Sequence, residues 1–260
     1  MLSHASGIAD YYSDKGRDGK NLFELFIENP DRLWTVNETI ARARKDLRPK
    51  FPPGTETSYS DTNYQLLGKI VEAVTGRPLH IFYEDFIFHP LGLEHTWLVG
   101  HWKSQASHCP SPADVFYGNR NITKTRSNGA YWADGGIVST AEEMNRFLKA
   151  LNEGRIIRPT SLKLMHQWRR LGFPLEYGYG TMRFNLPWPI RTLIGIPPLW
   201  GHSGSTGSFL YYFQDLDLYI AGTIDQTESK IKPFTLMGKV IKAIRAEKSG
   251  SRIKTVHATL

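Results

Sequence analysis

Residues 51–76 read FPPGTETSYSDTNYQLLGKIVEAVTG. Phe51-Pro52-Pro53-Gly54 is a turn signal, because proline fixes φ and glycine permits a positive one. Leu66, Leu67, Ile70, Val71 and Val74 recur at helical spacing, and this apolar stripe predicts a core-packed helix from Tyr64 to Thr75. Asp61 or Thr62 can cap its start, and Gly76 is a natural stop beyond its end. Tyr59, Ser60 and Asp61 then stand at the mouth of the helix: a phenol, a hydroxyl and a carboxylate side by side. Taken alone, the stretch is satisfied by an ordinary turn and a capped helix.

Four blocks surround it in a definite order. MLSHASGIADYY opens the chain and HPLGLEHTWL follows the helix region. GGIVSTAEEMNRFLKAL runs from Gly135 to Leu151, and WGHSGSTGSF from Trp200 to Phe209. In this order the blocks resemble the serine β-lactamase and penicillin-binding-protein superfamily. The match is nearest to its branch of class C β-lactamases, D-alanyl-D-alanine carboxypeptidases and esterases, and it covers nearly the whole chain. The resemblance implies an α+β, β-lactamase/transpeptidase-like fold. It would have a C-terminal antiparallel sheet and a helical lobe, with the N-terminal part of the fold missing. One domain is expected over 1–260, with the lobe over about 20–170, the sheet and terminal helix over about 177–247 and a basic tail at 248–260.

The family's reaction is acyl transfer through a serine ester. It needs a nucleophilic serine, a lysine one helical turn later, a tyrosine that shuttles the proton and an oxyanion hole. By the resemblance, Tyr59 is the tyrosine. Asp61 stands where the family has Asn or Asp, and would orient the lysine or a substrate amide. His202 stands in place of the lysine of K-T-G, where it could polarise Tyr59 or, protonated, meet a substrate carboxylate. Ser60, Ser203, Gly204 and Ser205 would line the substrate path, Gly204 by leaving room along the strand and Ser205 by offering a backbone N–H as an oxyanion donor. Outside that order, the same residues read as a packing tyrosine, a structural histidine and a flexible turn.

The departure from the family is the nucleophile. Its S-x-x-K motif belongs ahead of the segment that MLSHASGIADYY resembles. Two strings of that form occur, Ser229/Lys232 and Ser251/Lys254, both after the His202 block. About one such match arises by accident in a chain of this composition. Pro233 follows Lys232 directly, and either pair would demand a circular permutation. Without a lysine beside it, Tyr59 has only a neutral histidine to lower a pKa that starts at about 10.

Composition removes other classes. At 260 residues and 40% hydrophobic, the chain is long enough for one large domain, and no run approaches a membrane span. As written it opens without a signal peptide, which reads as cytoplasmic, although the resembled family is often secreted or periplasmic. Cys109 is the only cysteine, so no intramolecular disulfide forms and no thiolate metal site is expected. The nine histidines show neither H-E-x-x-H nor H-x-x-E-H, so no metal or other cofactor is expected. The formal charge is +7, and Lys230, Lys232, Lys239, Lys242, Arg245, Lys248, Arg252 and Lys254 crowd the C-terminal segment. No nucleic-acid motif accompanies them, and they read as the solvated face of a terminal helix and a frayed tail.

Helices are expected at Asn21–Glu28, at Thr35–Leu47 with a Thr35/Glu38 capping box, at Pro78–Phe88, to Leu151 from a cap at Ser139 or Thr140, with Glu143 three residues after Thr140 as in a second capping box, and at Pro159. Residues 100–128 read as a long irregular rim. Strands are expected at Tyr179–Asn185, Leu199–His202, Ser208–Phe213 and Leu218–Ile224, the last two joined by a turn at 214–217. Four prolines confine Leu186–Pro198 to a loop or edge. Lys232–Glu247 reads as an amphipathic helix, with Phe234, Met237, Val240, Ile241 and Ile244 facing the sheet.

Two functions follow. One is a β-lactamase-related serine hydrolase acting on a D-alanyl peptide, β-lactam or small ester, in a form without its nucleophile. The other is a non-catalytic peptide- or muropeptide-binding module on the same fold. Either takes a small-molecule or peptide ligand, and an N-terminal fragment or a second copy is expected to cover the open sheet edge.

Overall fold

The computed structural model describes residues 1–101, 111–194, 198–229 and 231–257, and of 194 and 248–257 only the backbone path. Cys109 and Lys230 fall outside the described residues, and so do the side chains of Ser251 and Lys254. The lobe begins with α1 (Leu22–Glu28) and α2 (Val36–Lys45). Each starts on reciprocal capping, Asn21 with Glu24 and Thr35 with Glu38, the second as the spacing predicts.

Helix α3 spans Asp61–Thr75, so it begins at Asp61 rather than Tyr64, and Ser60 holds the cap position without a side-chain cap. It ends as predicted, on Gly76 at φ 65° with its N–H on the Glu72 carbonyl. The packed face differs from the predicted stripe. Ile70 is 46% and Val74 80% exposed, while Thr62, Asn63, Gln65 and Gly68 are buried. The reason is steric and polar. The indole of Trp132 lies on the helix at Gly68, where an added Cβ would come within 2.6 Å of the ring. Residues 6–11, before α1, bury the first turn of α3 through hydrogen bonds to Asp61, Thr62 and Asn63.

Helix α4 (Leu79–Tyr83) continues into a π-helical turn at Glu84–Phe88 and a last turn at His89–Leu91. Residues 102–110 of the expected rim lie outside the described residues; in its described part, Phe116–Tyr117 pairs with Arg120–Asn121, and Arg126–Ala130 forms a 3-10 turn. Helix α5 (Ala141–Asn152) is capped by Thr140 on the Glu143 N–H, but the second half of the predicted capping box is absent. The Glu143 carboxylate is buried and accepts the His95 N–H (2.9 Å) and the Thr96 hydroxyl instead. Helix α6 (Pro159–Met165) begins on its proline.

Six strands form one antiparallel meander: β1 (Arg169–Gly172), β2 (Leu175–Tyr177), β3 (Met182–Phe184), β4 (Leu199–Ser203), β5 (Phe209–Phe213) and β6 (Leu218–Gly222). The first two were not foreseen, and β3 begins at Met182 rather than Tyr179. Trp188–Ile194 is a helix, α7, where a loop was predicted; Pro189 sits in its first turn, where its missing N–H costs nothing. Helix α8 (Lys232–His257) covers one sheet face with Phe234, Met237 and Ile241 against Leu199, Tyr211 and Phe213. Val240 points partly to solvent instead. On the other face, Leu148 and Leu151 of α5 meet Trp200 and Tyr212. Strand alternation therefore turns Ser203 with Leu199 toward α8, and His202 with Trp200 toward the lobe.

Candidate active site

Tyr59 and His202 meet where the start of α3 approaches the lobe-facing side of β4, their ring centroids 6.2 Å apart. Residues 9–11 build this junction. The Tyr11 N–H donates to Thr62 Oγ1 (2.9 Å), and the Thr62 and Ser60 hydroxyls donate to the Ala9 carbonyl (2.7 and 3.2 Å). Asp10 Oδ1 accepts the Asp61 N–H (3.1 Å) and so does the work of the missing cap.

His202 has a defined protonation. Its Nδ1 is 2.9 Å from the Ser203 carbonyl oxygen, which can only accept, so Nδ1 carries the hydrogen. Its Nε2 is 3.0 Å from the Tyr177 hydroxyl and accepts from it. Burial lowers the imidazole pKa. Both nitrogens are engaged, neither with Tyr59. Asp61 lies beside the Tyr59 hydroxyl instead, and burial, then the Asp61 charge, pushes the phenol well above its usual value.

Two further residues complete the cluster. Tyr177, on β2, lies 5.9 Å from the Tyr59 ring and 5.6 Å from the His202 ring. His4 is fully buried, at φ 53°, with Tyr59 at 4.2 Å and Tyr177 at 4.4 Å. Its Nδ1 accepts the Ser60 N–H (3.1 Å), its Nε2 has no hydrogen-bond partner, and burial first, then His202, lowers its pKa to about 3. The sequence reading missed both. Their signals were the histidine inside MLSHASG and the first tyrosine of YGYG.

Beneath them lie three carboxyl groups, Asp10, Asp61 and Asp134. Burial raises the pKa of each, and Asp61 is raised further by Asp10 and Asp134. Their donors are uncharged: the Tyr11 hydroxyl on Asp134, the Ser13 hydroxyl on Asp10, and the N–H groups of Tyr12, Asp61 and Trp132. Gln65 is fully buried and donates from its amide nitrogen to the Ala130 carbonyl (2.9 Å) and to the Tyr11 oxygen (3.3 Å), while its Oε1 has no donor.

The structure thus brings Tyr59, Asp61 and His202 together. Ser60 is fully buried behind them, with its hydroxyl on Ala9. The Ser203 hydroxyl is 2.7 Å from the Tyr211 hydroxyl, toward α8. Gly204 and Ser205 are exposed in the β4–β5 turn. A Cβ at Gly204 would fall 2.2 Å from Ser208 Oγ, so a side chain there would require that hydroxyl to move. Lys50 Nζ donates to Ser58 Oγ (3.1 Å) and pairs with Asp14 at 2.8 Å. Ser229 accepts the Lys232 N–H through its carbonyl at the head of α8 (3.3 Å).

The Beta-lactamase family model matches residues 1–232. Penicillin-binding protein 4 of Amycolatopsis lactamdurans is 28% identical over 232 residues, 82% of this chain and 54% of the relative. A D-aminopeptidase of Cereibacter sphaeroides is 27% identical over 219 residues, 80% of this chain and 37% of the relative. The solved D-stereospecific amidohydrolase from Streptomyces sp. superposes with a TM-score of 0.69 at 26% identity, over 87% of this chain and 66% of the other. The chain thus spans about half the length, or less, of these curated relatives. With most of its length matched by the family model, and its fold shared with a solved relative, the chain belongs to the Beta-lactamase family, within the serine β-lactamase and penicillin-binding-protein superfamily.

Proposed function

We propose that this chain supplies the tyrosine, carboxylate and strand side of a serine-hydrolase site for acyl transfer on a D-amino-acid amide, D-alanyl peptide, β-lactam or small ester, and that it holds no nucleophile of its own. The observation that carries this is the convergence of Tyr59, Asp61, Tyr177 and His202, with no serine–lysine dyad beside them among the described residues. The relatives support the reaction class, since one is a D-aminopeptidase and another a D-stereospecific amidohydrolase. The test is the intact mass of the folded chain after incubation with a fluorophosphonate and, separately, with a penicillin. No adduct is expected. A stoichiometric adduct, on Ser58 or Ser229 for example, would overturn the proposal.

A non-catalytic binding module is the second reading, and the state of Tyr59 favours it for the chain by itself. A phenol pushed well above its usual pKa is a poor proton acceptor at neutral pH. Ligand binding without turnover, lost in His202→Ala, is the expected result; turnover by the chain alone would sink this reading.

A further inference from the structure

Strand β4 runs past its neighbour on one side. Its last pair with β3 is Gly201 with Met182, while its pairing with β5 continues through Ser203 and Phe209. The Gly204 N–H still donates to the Ser208 carbonyl (2.8 Å), so Gly204 faces β5. By antiparallel alternation the Ser203 carbonyl then faces the other way, where β3 has ended. His202 Nδ1–H fills that place at 2.9 Å, and the Tyr177 hydroxyl holds the ring by its other nitrogen at 3.0 Å. The peptide between Ser203 and Gly204 is thus fixed on both sides, its carbonyl by His202 and its N–H by Ser208. The turn that follows is closed by the Gly207 N–H on the Gly204 carbonyl (3.1 Å) and tied down by the Ile224 N–H on the Gly207 carbonyl (3.2 Å). Ser205 is the first corner of that turn, so its N–H takes no part in the closing bond.

We propose that His202, locked by Tyr177, is a positioning residue: its Nδ1–H on the Ser203 carbonyl sets the Ser203–Gly204 peptide and thereby aims the Ser205 N–H at a ligand oxygen in the cleft. This rests on the cleft being the ligand site, as proposed above. In this role the histidine works through the backbone, and it needs neither a charge nor contact with Tyr59.

A peptide unit is planar, so whatever orients its carbonyl orients its N–H in the opposite sense. With the hydrogen on Nδ1, the imidazole donates to the Ser203 carbonyl and accepts from Tyr177. With the hydrogen on Nε2, two lone pairs would face each other across 2.9 Å. The carbonyl would then turn in search of another donor and carry the Gly204 N–H off Ser208. Gly204 has no side chain to resist that rotation, so the restraint has to come from outside the turn. Removing the Tyr177 hydroxyl leaves Nε2 without its donor and frees the ring to leave the carbonyl.

The experiment is ¹⁵N NMR and amide exchange on the full chain and on variants whose spectra show an intact fold. The parent is expected to hold His202 as the neutral Nδ1–H tautomer. In Tyr177→Phe the Gly204 and Gly207 amides should exchange about tenfold faster, the net worth of one hydrogen bond, while those of α2 do not change. His202→Asn places an amide N–H near the position of Nδ1–H and nothing at Nε2, and it should keep exchange within about threefold of the parent. His202→Gln, whose amide reaches toward Nε2, should not, nor should His202→Ala; if the alanine variant fails to fold, the Asn and Gln pair carries the comparison. N-acetyl-D-alanine methylamide, a neutral probe, should move the Ser205 amide proton downfield in the parent and in His202→Asn, and less in His202→Gln and Tyr177→Phe. An Nε2–H or charged His202 in the parent, turn exchange that ignores these substitutions, rescue by Gln in place of Asn, or a probe that shifts other cleft amides but not Ser205 overturns the proposal while leaving the cleft as the ligand site. A probe that shifts no cleft amide overturns that underlying reading and this proposal together.

Discussion

A proton on His4 would have to displace the Ser60 N–H at Nδ1 inside a cage of Tyr59, Tyr64 and Tyr177. Its folded pKa, about 3, lies below the unfolded value of 6.5. The stability it contributes is therefore complete above pH 6.5 and is lost as pH falls toward 3, by about 1.4 kcal/mol per unit. Asp10, Asp61 and Asp134 work in the opposite sense. Their folded pKa values are raised, so their contribution is present below the unfolded value and is lost as pH rises through the folded ones. Asp61→Asn is accordingly expected to stabilise the chain without ligand at pH 8 by about 1–3 kcal/mol, the penalty of an unpaired buried polar group. The gain should be smaller at pH 5, where a carboxyl whose pKa is raised by burial is more protonated than at pH 8. Urea midpoints at the two pH values check this, and a destabilised variant at pH 8 would refute it.

At the scale of the element, α3 is organised by contacts that its apolar pattern does not announce. Gly68→Ala would place a methyl 2.5 Å from Ala133 Cβ and 2.6 Å from the Trp132 ring. Overpacking of this kind costs about 1–3 kcal/mol, so a lower urea midpoint with an unchanged slope is expected. No change would mean that the ring shifts freely. This contact marks where the sequence stops being legible. Local rules placed α2 on its Thr35/Glu38 box, stopped α3 at Gly76 and joined β5 to β6, because capping and turn chemistry act within a few residues. They misjudged the buried face of α3, because its partners, Ala9, Tyr11, Ala130 and Trp132, come from distant segments. They missed β1 and β2, whose short, charged stretches carry no alternation, and α7, whose prolines masked a first turn. In the site, the order of the blocks drew attention to Tyr59, Asp61 and His202. Tyr177 and His4 escaped because their roles exist only across the fold, through a histidine tautomer and an aromatic cage.

On the scale of the whole molecule, the two edges of the meander differ in kind. The β1 edge carries exposed Arg169 and Arg170, charges that discourage pairing with another strand. The β6 edge, Leu218–Gly222, is half-buried and has neither charge nor proline, and its pairing among the described residues is with β5 alone. The α3 face adds exposed Ile70 and Val74 to the apolar surface. An uncharged strand edge is a template for strand addition, and an uncovered apolar face favours any association that buries it. The purified chain is therefore expected to self-associate through β6. Hydrogen exchange across a dilution series checks this with an internal control. The β6 amides should gain protection as concentration rises, and those of β1 should not. Ala221→Lys, which adds a charge to that edge, should make β6 exchange independent of concentration, as β1 exchange already is, and shift the sedimentation profile toward a single slower species. A chain that sediments as one species at every concentration, with β6 amides exchanging freely, would show that the edge is tolerated without a partner.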